Sequence, residues 1–219
     1  MPQHSSHRAP PGNRAPSNFE IRFAGAGDAA GIAAIYAPNV AGSAISFEAE
    51  LPTPALMRER IEATLARLPW LVCERGGELL GYAYASPHSE RAAYAWALNV
   101  SVYVGAGARR QGVGRALYAS LFALARLAGY YSAHAGVTLP NAASVGLHES
   151  LGFVPVGVYR AVGFKLGAWH DVGWWQLELR PRSGAPAPPL PVPVLRAQAA
   201  EDVAAALAAG RTAGRAAVT

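Results

Sequence analysis

Hydrophobic and polar positions along this chain switch repeatedly between a two-residue and a 3.6-residue period. FEIRFA at 19–24 alternates as a half-buried strand does. Asp28 stands where an N-cap would, before a helix expected over 29–37 and ended by Pro38. Thr53-Pro54 pairs a capping residue with proline at the first helical position. Met57, Ile61, Leu65 and Leu68 then recur at helical spacing. WLVCER (70–75), Gly76-Gly77 and ELLGYAYA (78–85) read as a hairpin. AYAWALNVSVYV (93–104) reads as one long strand. A helix over 112–128 follows, with Val113, Leu117, Leu121 and Leu124 on one face. YYSAHAGV (130–137) is a strand, and 143–151 a short helix that Gly152 ends. Stretches 154–159 and 172–179 complete the set as two strands. Strands outnumber a simple βαβ alternation, so the order predicts a mixed α+β sheet with helices on its faces.

Two shifts in composition bound this pattern. Residues 1–18 are rich in Pro, Ser, His and Asn, without periodicity, and read as a disordered tail. PRSGAPAPPLPVPV (181–194) reads as a polyproline-like linker. Beyond it, 196–209 is alanine-rich and predicts a marginal helix. The expected organisation is therefore a tail at 1–18, one domain at 19–180 and a Pro/Ala-rich tail at 181–219, a tether at most.

The 219 residues carry a formal charge of +5. Residues 1–18 hold two arginines and no acid, and 181–219 four arginines and two acids. That leaves 13 basic against 12 acidic residues in 19–180. The basic excess sits mostly in the ends, not on a folded face, so no nucleic-acid partner is expected. No apolar run is long enough for a membrane span, and the N-terminal stretch lacks the apolar segment of a secretory signal. The single cysteine, Cys73, excludes an internal disulfide and a Cys-based zinc site. These features suggest a cytoplasmic protein without a metal.

The chemistry concentrates where Val102-Tyr103-Val104 runs through a short loop into Arg109-Arg110-Gln111-Gly112-Val113-Gly114. A strand ends, a glycine-containing turn follows, and a helix begins. The first N–H groups of such a helix are unpaired, and the helix dipole adds partial positive charge. Glycines let a large anion approach the backbone. The segment can therefore cradle a pyrophosphate, although the spacing is neither a P-loop nor G-x-G-x-x-G.

R-R-Q-G-V-G after a V-Y-V strand resembles the Q/R-x-x-G-x-G/A acetyl-CoA signature of the GNAT N-acetyltransferase superfamily. Leu139-Pro140-Asn141, Ser144-Val145-Gly146-Leu147-His148-Glu149 and Leu151-Gly152-Phe153 narrow the resemblance. So does the stretch from Gly163 to Leu177, with its K-x-G-x-W-H-D-V-G-x-W-Q pattern. Together with Ser46-Phe47, Thr53-Pro54 and Pro69-Trp70-Leu71-Val72, these segments resemble phosphinothricin N-acetyltransferases and related L-amino-acid N-acetyltransferases over about residues 19–180. The resemblance implies a GNAT fold: a mixed, mostly antiparallel central sheet with helices on both faces. It implies an acyltransferase that moves acetyl from acetyl-CoA to the α-amine of a small amino-acid-like acceptor, directly in a ternary complex. Phosphinothricin and methionine sulfoximine or sulfone are the implied acceptors, and a homodimer the implied assembly.

By the same resemblance Val102, Tyr103 and Val104 pair with the pantetheine arm. The backbone from Arg109 through Arg110, Gln111, Gly112 and Val113 to Gly114 holds the pyrophosphate, and Asn141 makes a polar cofactor contact. Phe47, Arg91, Tyr103 and His148 lie near the acceptor. Arg91 suits a carboxylate or phosphinate clamp, because its planar fork binds oxyanions bidentately. The oxyanion of the tetrahedral intermediate is assigned to backbone N–H at Val102.

One position departs from the subgroup. Its general base is a glutamate in W-x-x-E-x-S/T-V-Y-V, and here that position is Asn99. An amide cannot take a proton at neutral pH. Asn99 could orient a water, His148 could supply the base, or the activity could be lost. The reading adopted is water-assisted transfer with His148 near the chemistry. The alternative is a non-catalytic acyl-CoA-binding or sensing protein.

The remaining candidates read as structure. His170 and Asp171 are adjacent in a strand and point to opposite faces. His88, with Glu90 nearby, reads as a solvated loop. Ser144 reads as a helix-start residue. Trp169, Trp174 and Trp175 read as core, or as a wall of the acceptor pocket or of a dimer interface.

Overall fold

The computed structural model describes residues 19–216. Seven strands form one sheet: β1 (Glu20–Phe23), β2 (Trp70–Arg75), β3 (Glu78–Pro87), β4 (Ala97–Val104), β5 (Ser132–Leu139), β6 (Val154–Lys165) and β7 (Ala168–Glu178). Among the described residues six α-helices accompany them: α1 (Ala29–Ala41), α2 (Pro54–Leu65), α3 (Val113–Ala128), α4 (Ala142–Ser150), α5 (Val192–Gln198) and α6 (Ala200–Ala216). The strand order is β1-β2-β3-β4-β5-β7-β6. Only β4 and β5 run parallel; the other five pairings are antiparallel. This is the mixed α+β sheet that the element order called for, and it is mostly antiparallel, as the family resemblance implied.

Side-chain alternation sends each strand's apolar residues to two separate cores. On one face Leu71, Ala83, Leu98, Val100, Ala133 and Ala135 pack under Leu117, Leu121 and Leu124 of α3. On the other, Trp70, Val72 and Tyr82 meet Ile32 and Tyr36 of α1 and Met57 and Ile61 of α2. Thr53 caps α2, accepting from the Leu56 N–H at 3.2 Å.

Several expectations needed correction. The first helix does not stop at Pro38 but runs to Ala41 with Pro38 inside it. Proline costs one backbone donor, yet Asn39 Nδ2 donates to Ile35 O (3.2 Å) and the extra turn buries Val40. Asp28 precedes α1 without capping it. Its carboxylate instead takes the Gly25 N–H at 2.8 Å and a bidentate Arg22 fork at 2.7 and 2.9 Å. The strand expected from 93 begins at Ala97, because Ala92–Tyr94 closes a 3-10 turn. The last two strands are longer than expected.

The largest correction concerns the C-terminal stretch. It is no tether: Leu195, Val203 and Ala206 join the α3 core. Ser120 Oγ donates to Leu207 O (2.9 Å) and accepts from the Gly210 N–H (3.1 Å). A Cβ on Gly210 would overlap Ala116 O, and one on Gly214 would overlap the Phe19 ring. Small residues let α6 lie closer to α3 than side chains would permit. The expected tail at 1–18 lies outside the described residues.

Candidate active site

The β4–β5 ladder is short. It joins Ala97 to Ser132, Leu98 to Ala133 and Asn99 to His134, and then the strands diverge into a wedge. Backbone direction along β4 follows from its neighbours. Gly105 donates its N–H to Leu80 O (2.9 Å), and Ala85 turns its own away to Pro69 O (3.0 Å). With Tyr82 opposite Tyr103 and Tyr84 opposite Ser101, the odd-numbered amides of β4 face β3. The even-numbered ones, at Val100, Val102 and Val104, therefore face the wedge.

From the wedge a groove of about 950 Å³ runs to the start of α3. Val102, Tyr103, Val104, Arg109, Arg110, Gly112, Val113, Gly114 and Asn141 all line it. The first helical bond of α3 is Ala116 N–H to Gly112 O (2.9 Å), so the amides of Val113, Gly114 and Arg115 have no intrahelical acceptor. Arg109 and Arg110 are exposed beside them. Gly112 sits at φ +81°, and a Cβ there would lie 2.6 Å from Gly214 O of α6. Gly114 faces Leu147 of α4, which a Cβ would approach to 3.2 Å. Asn141 caps α4, its Oδ1 taking the Ser144 N–H at 3.1 Å, which leaves its amide N–H free. This donor set, cationic and backbone-rich at one end and a strip of strand amides at the other, fits a diphosphate followed by an amide-bearing arm, as in acetyl-CoA. Gln111 is not in the lining. Its side chain donates to Gly107 O (2.7 Å) and accepts from Arg75 (3.2 Å), bracing the loop.

The expected acceptor residues do not converge in the same way. Tyr103 lines the groove, wedged edge-on against Tyr36 (5.0 Å) and stacked on Tyr82 (5.2 Å). Burial drives its phenol well above the ordinary value, so it stays neutral. Phe47 is exposed on the loop between α1 and α2 and packs on Gly163 of β6. Lys165 ties hairpin to loop, donating to Val40 O and Ser46 O at 2.6 Å each.

Arg91 is exposed and lines a different hollow, with Arg67, Ser89 and Tyr94 near the start of β4. His148 is 3% exposed and absent from the groove lining. Both its nitrogens are taken: Nδ1 donates to Ser144 O (2.7 Å), and Nε2 accepts from Tyr118 OH (3.1 Å). Burial lowers its pKa, which keeps the ring neutral. His148 is thus a packed strut between α3 and α4, and the reading that set it near the chemistry does not survive this geometry. His170 and Asp171 are separate: His170 Nε2 meets Lys165 O (3.0 Å), while Asp171 pairs with Arg160 (2.7 Å).

Reading His88 as a solvated loop was also wrong. Its ring is half-buried, its Nδ1 meets Asn99 Oδ1 at 2.9 Å, and it lies tilted against the His134 ring at 4.3 Å. Burial, and then the nearby His88, depress His134 to a pKa of about 4. The overlooked signal was register: Ser86 pairs with Asn99, so the residues just after β3 fall beside that position.

Comparison with known proteins agrees with the geometry. Residues 21–174 match the acetyltransferase (GNAT) domain model. A Streptomyces viridochromogenes phosphinothricin N-acetyltransferase is 41% identical, covering 79% of this chain and 92% of its own. An L-methionine sulfoximine/L-methionine sulfone acetyltransferase from Pseudomonas aeruginosa is 37% identical over 76% of this chain and 98% of its own. A Salmonella typhimurium protein solved with its cofactor acetyl-CoA superposes with a TM-score of 0.74 and 34% identity, covering 77% of this chain and 98% of that one. A strand pair that splays beside an amide-rich helix start, and a family match over most of the sheet, lead to one assignment: the chain belongs to the GNAT acetyltransferase family.

Proposed function

We propose that the protein moves the acetyl group of acetyl-CoA to the α-amine of a small amino-acid-like acceptor, directly within a ternary complex. The observation that carries this is the wedge. The β4–β5 ladder ends at Asn99 and His134, and the even-numbered amides beyond it open onto a groove that reaches the α3 amides. In this reading acetyl-CoA supplies the activated acyl group. The α3 amides with Arg109 and Arg110 hold its diphosphate, and Val102 and Val104 pair with the pantetheine arm. The Val102 N–H faces the oxygen that gains charge as the amine attacks. Relatives named for phosphinothricin and for methionine sulfoximine or sulfone set the acceptor class.

The assembly proposed is a homodimer. Strand β6 is an edge of the sheet and exposes Val154, Val156, Val158, Tyr159, Val162 and Phe164. An exposed apolar edge of this length invites pairing with a second copy. A buried free thiol at Cys73 suits a reducing, cytoplasmic setting. Among the described residues no helix is long and apolar enough to cross a membrane.

The test is thiol release from acetyl-CoA over a panel of amino acids that includes phosphinothricin and methionine sulfoximine. Turnover with one of them supports the reading. Tight acetyl-CoA binding with no turnover on any amine returns it to an acyl-CoA-binding protein.

A further inference from the structure

Acetyl transfer to an amine that is protonated at neutral pH needs a group to take the proton, because only the neutral amine attacks a thioester. Asn99 cannot, and His148 has no free nitrogen. We propose that His88 takes it, through Nε2 and a bridging water, and that Asn99 is the positioning residue that fixes its tautomer. This rests on the acetyl-transfer reading above.

The geometry assigns the proton. Asn99 Nδ2 donates to Pro87 O (3.3 Å), so its Oδ1 is the atom turned to His88 Nδ1 at 2.9 Å. An amide oxygen only accepts, so Nδ1 of the neutral ring carries the hydrogen. Nε2 is then left as a lone pair. The ring is held from other sides by His134, Tyr94 (5.6 Å) and Trp174 (6.4 Å). The titratable or charged neighbours are few: His134, neutral because its pKa is depressed to about 4, Tyr94, and the Arg182 cation that acts on His134. Trp174 Nε1 is a buried donor without a partner among the described residues, so the cluster has hydrogen-bonding capacity to spare.

Placement supports the role. Asn99 and His134 are the last pair of the β4–β5 ladder, so His88, in contact with both, stands at the closed end of the wedge, beside the groove rather than in its lining, which is why a bridging water is needed. Asn99 shares its sheet face with Ser101 and Tyr103, opposite the face that carries Val100 and Val102 into the α3 core. An amine arriving on this face meets the wedge edge-on. Its ammonium proton passes through water to Nε2. The neutral nitrogen then adds to the thioester carbon, forming the C–N bond while the carbonyl oxygen gains charge; the C–S bond breaks as that charge collapses, the thiolate takes the second proton shed by the acylated nitrogen, and His88 returns its own to solvent.

Two variants in the full chain test this. H88Q keeps a side chain that can reach Asn99 but offers no base. It should lower kcat on the amino acid about 100-fold, with KM and acetyl-CoA affinity held. The loss should nearly vanish with the aminooxy analogue of the acceptor, whose nitrogen is already unprotonated at pH 7. A second change in that background, Asn99→Glu, should restore turnover by supplying a carboxylate. A loss equal for both nucleophiles, or a parallel loss of acetyl-CoA binding, would mean a structural role and overturn the proposal. Imidazole NMR of the labelled wild type decides independently of turnover. The Nδ1–H tautomer is expected at His88, and an Nε2–H tautomer contradicts the assignment. Absence of wild-type turnover on every amine would instead count against the acetyl-transfer reading.

Discussion

The two ends of β4 do different work and are built differently. At its C-terminal end a loop of consecutive residues, Arg109 to Gly114, delivers backbone amides to a groove. At its N-terminal end three side chains from three segments meet: His88 after β3, Asn99 on β4 and His134 on β5. The first end is backbone chemistry, set by glycines and a helix start. The second is side-chain chemistry, set by strand register. Backbone donors survive most substitutions of the residues that carry them, whereas a side-chain cluster is lost with any one member. Cofactor binding and proton transfer should therefore be separable by mutation.

The largest effect that would sharpen this contrast is expected at Gly112. A valine there must adopt φ +81° and press on Gly214 O of α6. Thermal unfolding should show a loss of about 2–4 kcal/mol, and calorimetry a collapse of acetyl-CoA binding. Retained affinity would deny the cradle. Next, Gly210→Leu drives a side chain into Ala116 O and Ile21. Its stability should fall by about 2–3 kcal/mol, while acetyl-CoA affinity, measured well below the melting point, changes less than for the Gly112 variant. A neutral result would mean that α6 does not pack as described.

At the other end, Asn99→Leu unlocks the His88 tautomer without touching the cradle. A kcat lower by about tenfold with unchanged acetyl-CoA affinity is expected; an equal loss of affinity would erase the separation. The smallest effect is on the pH dependence of stability. His134 has a folded pKa of about 4, below its ordinary value. The unfolded chain therefore binds the extra proton first, and stability is whole above about pH 6.5 and falls as pH drops toward 4. His134→Gln should flatten that slope in denaturant titrations.

The same contrast explains what the sequence disclosed. The α3 end of the groove was legible because Val102 to Gly114 encodes strand, turn and helix start contiguously. Much of the fold followed from periodicity for similar reasons. His88 was opaque because it meets Asn99 across 11 residues of chain. Its environment depends on where β3 ends, a boundary that periodicity places poorly. His148 misled in the opposite direction: its helical position suggested the chemistry, while its partner Tyr118, 30 residues away, buries it. The C-terminal helix was read as marginal because alanine and glycine contribute little apolar area. Gly210 and Gly214 instead buy close approach to α3 and Phe19, which only packing reveals. Pro38 shows the limit of a local rule, since burial of Val40 outweighs one missing donor.

The proposed path of acetyl-CoA depends on the direction in which the β4 amides point. Residue-resolved amide exchange with and without acetyl-CoA tests it directly. Protection should rise at Val102 and Val104 and at the Val113 to Arg115 amides, while Ser101 and Tyr103, already paired to β3, stay unchanged. No gain at Val102 and Val104, or protection confined to residues outside the groove, would contradict the placement of the cofactor along this strand.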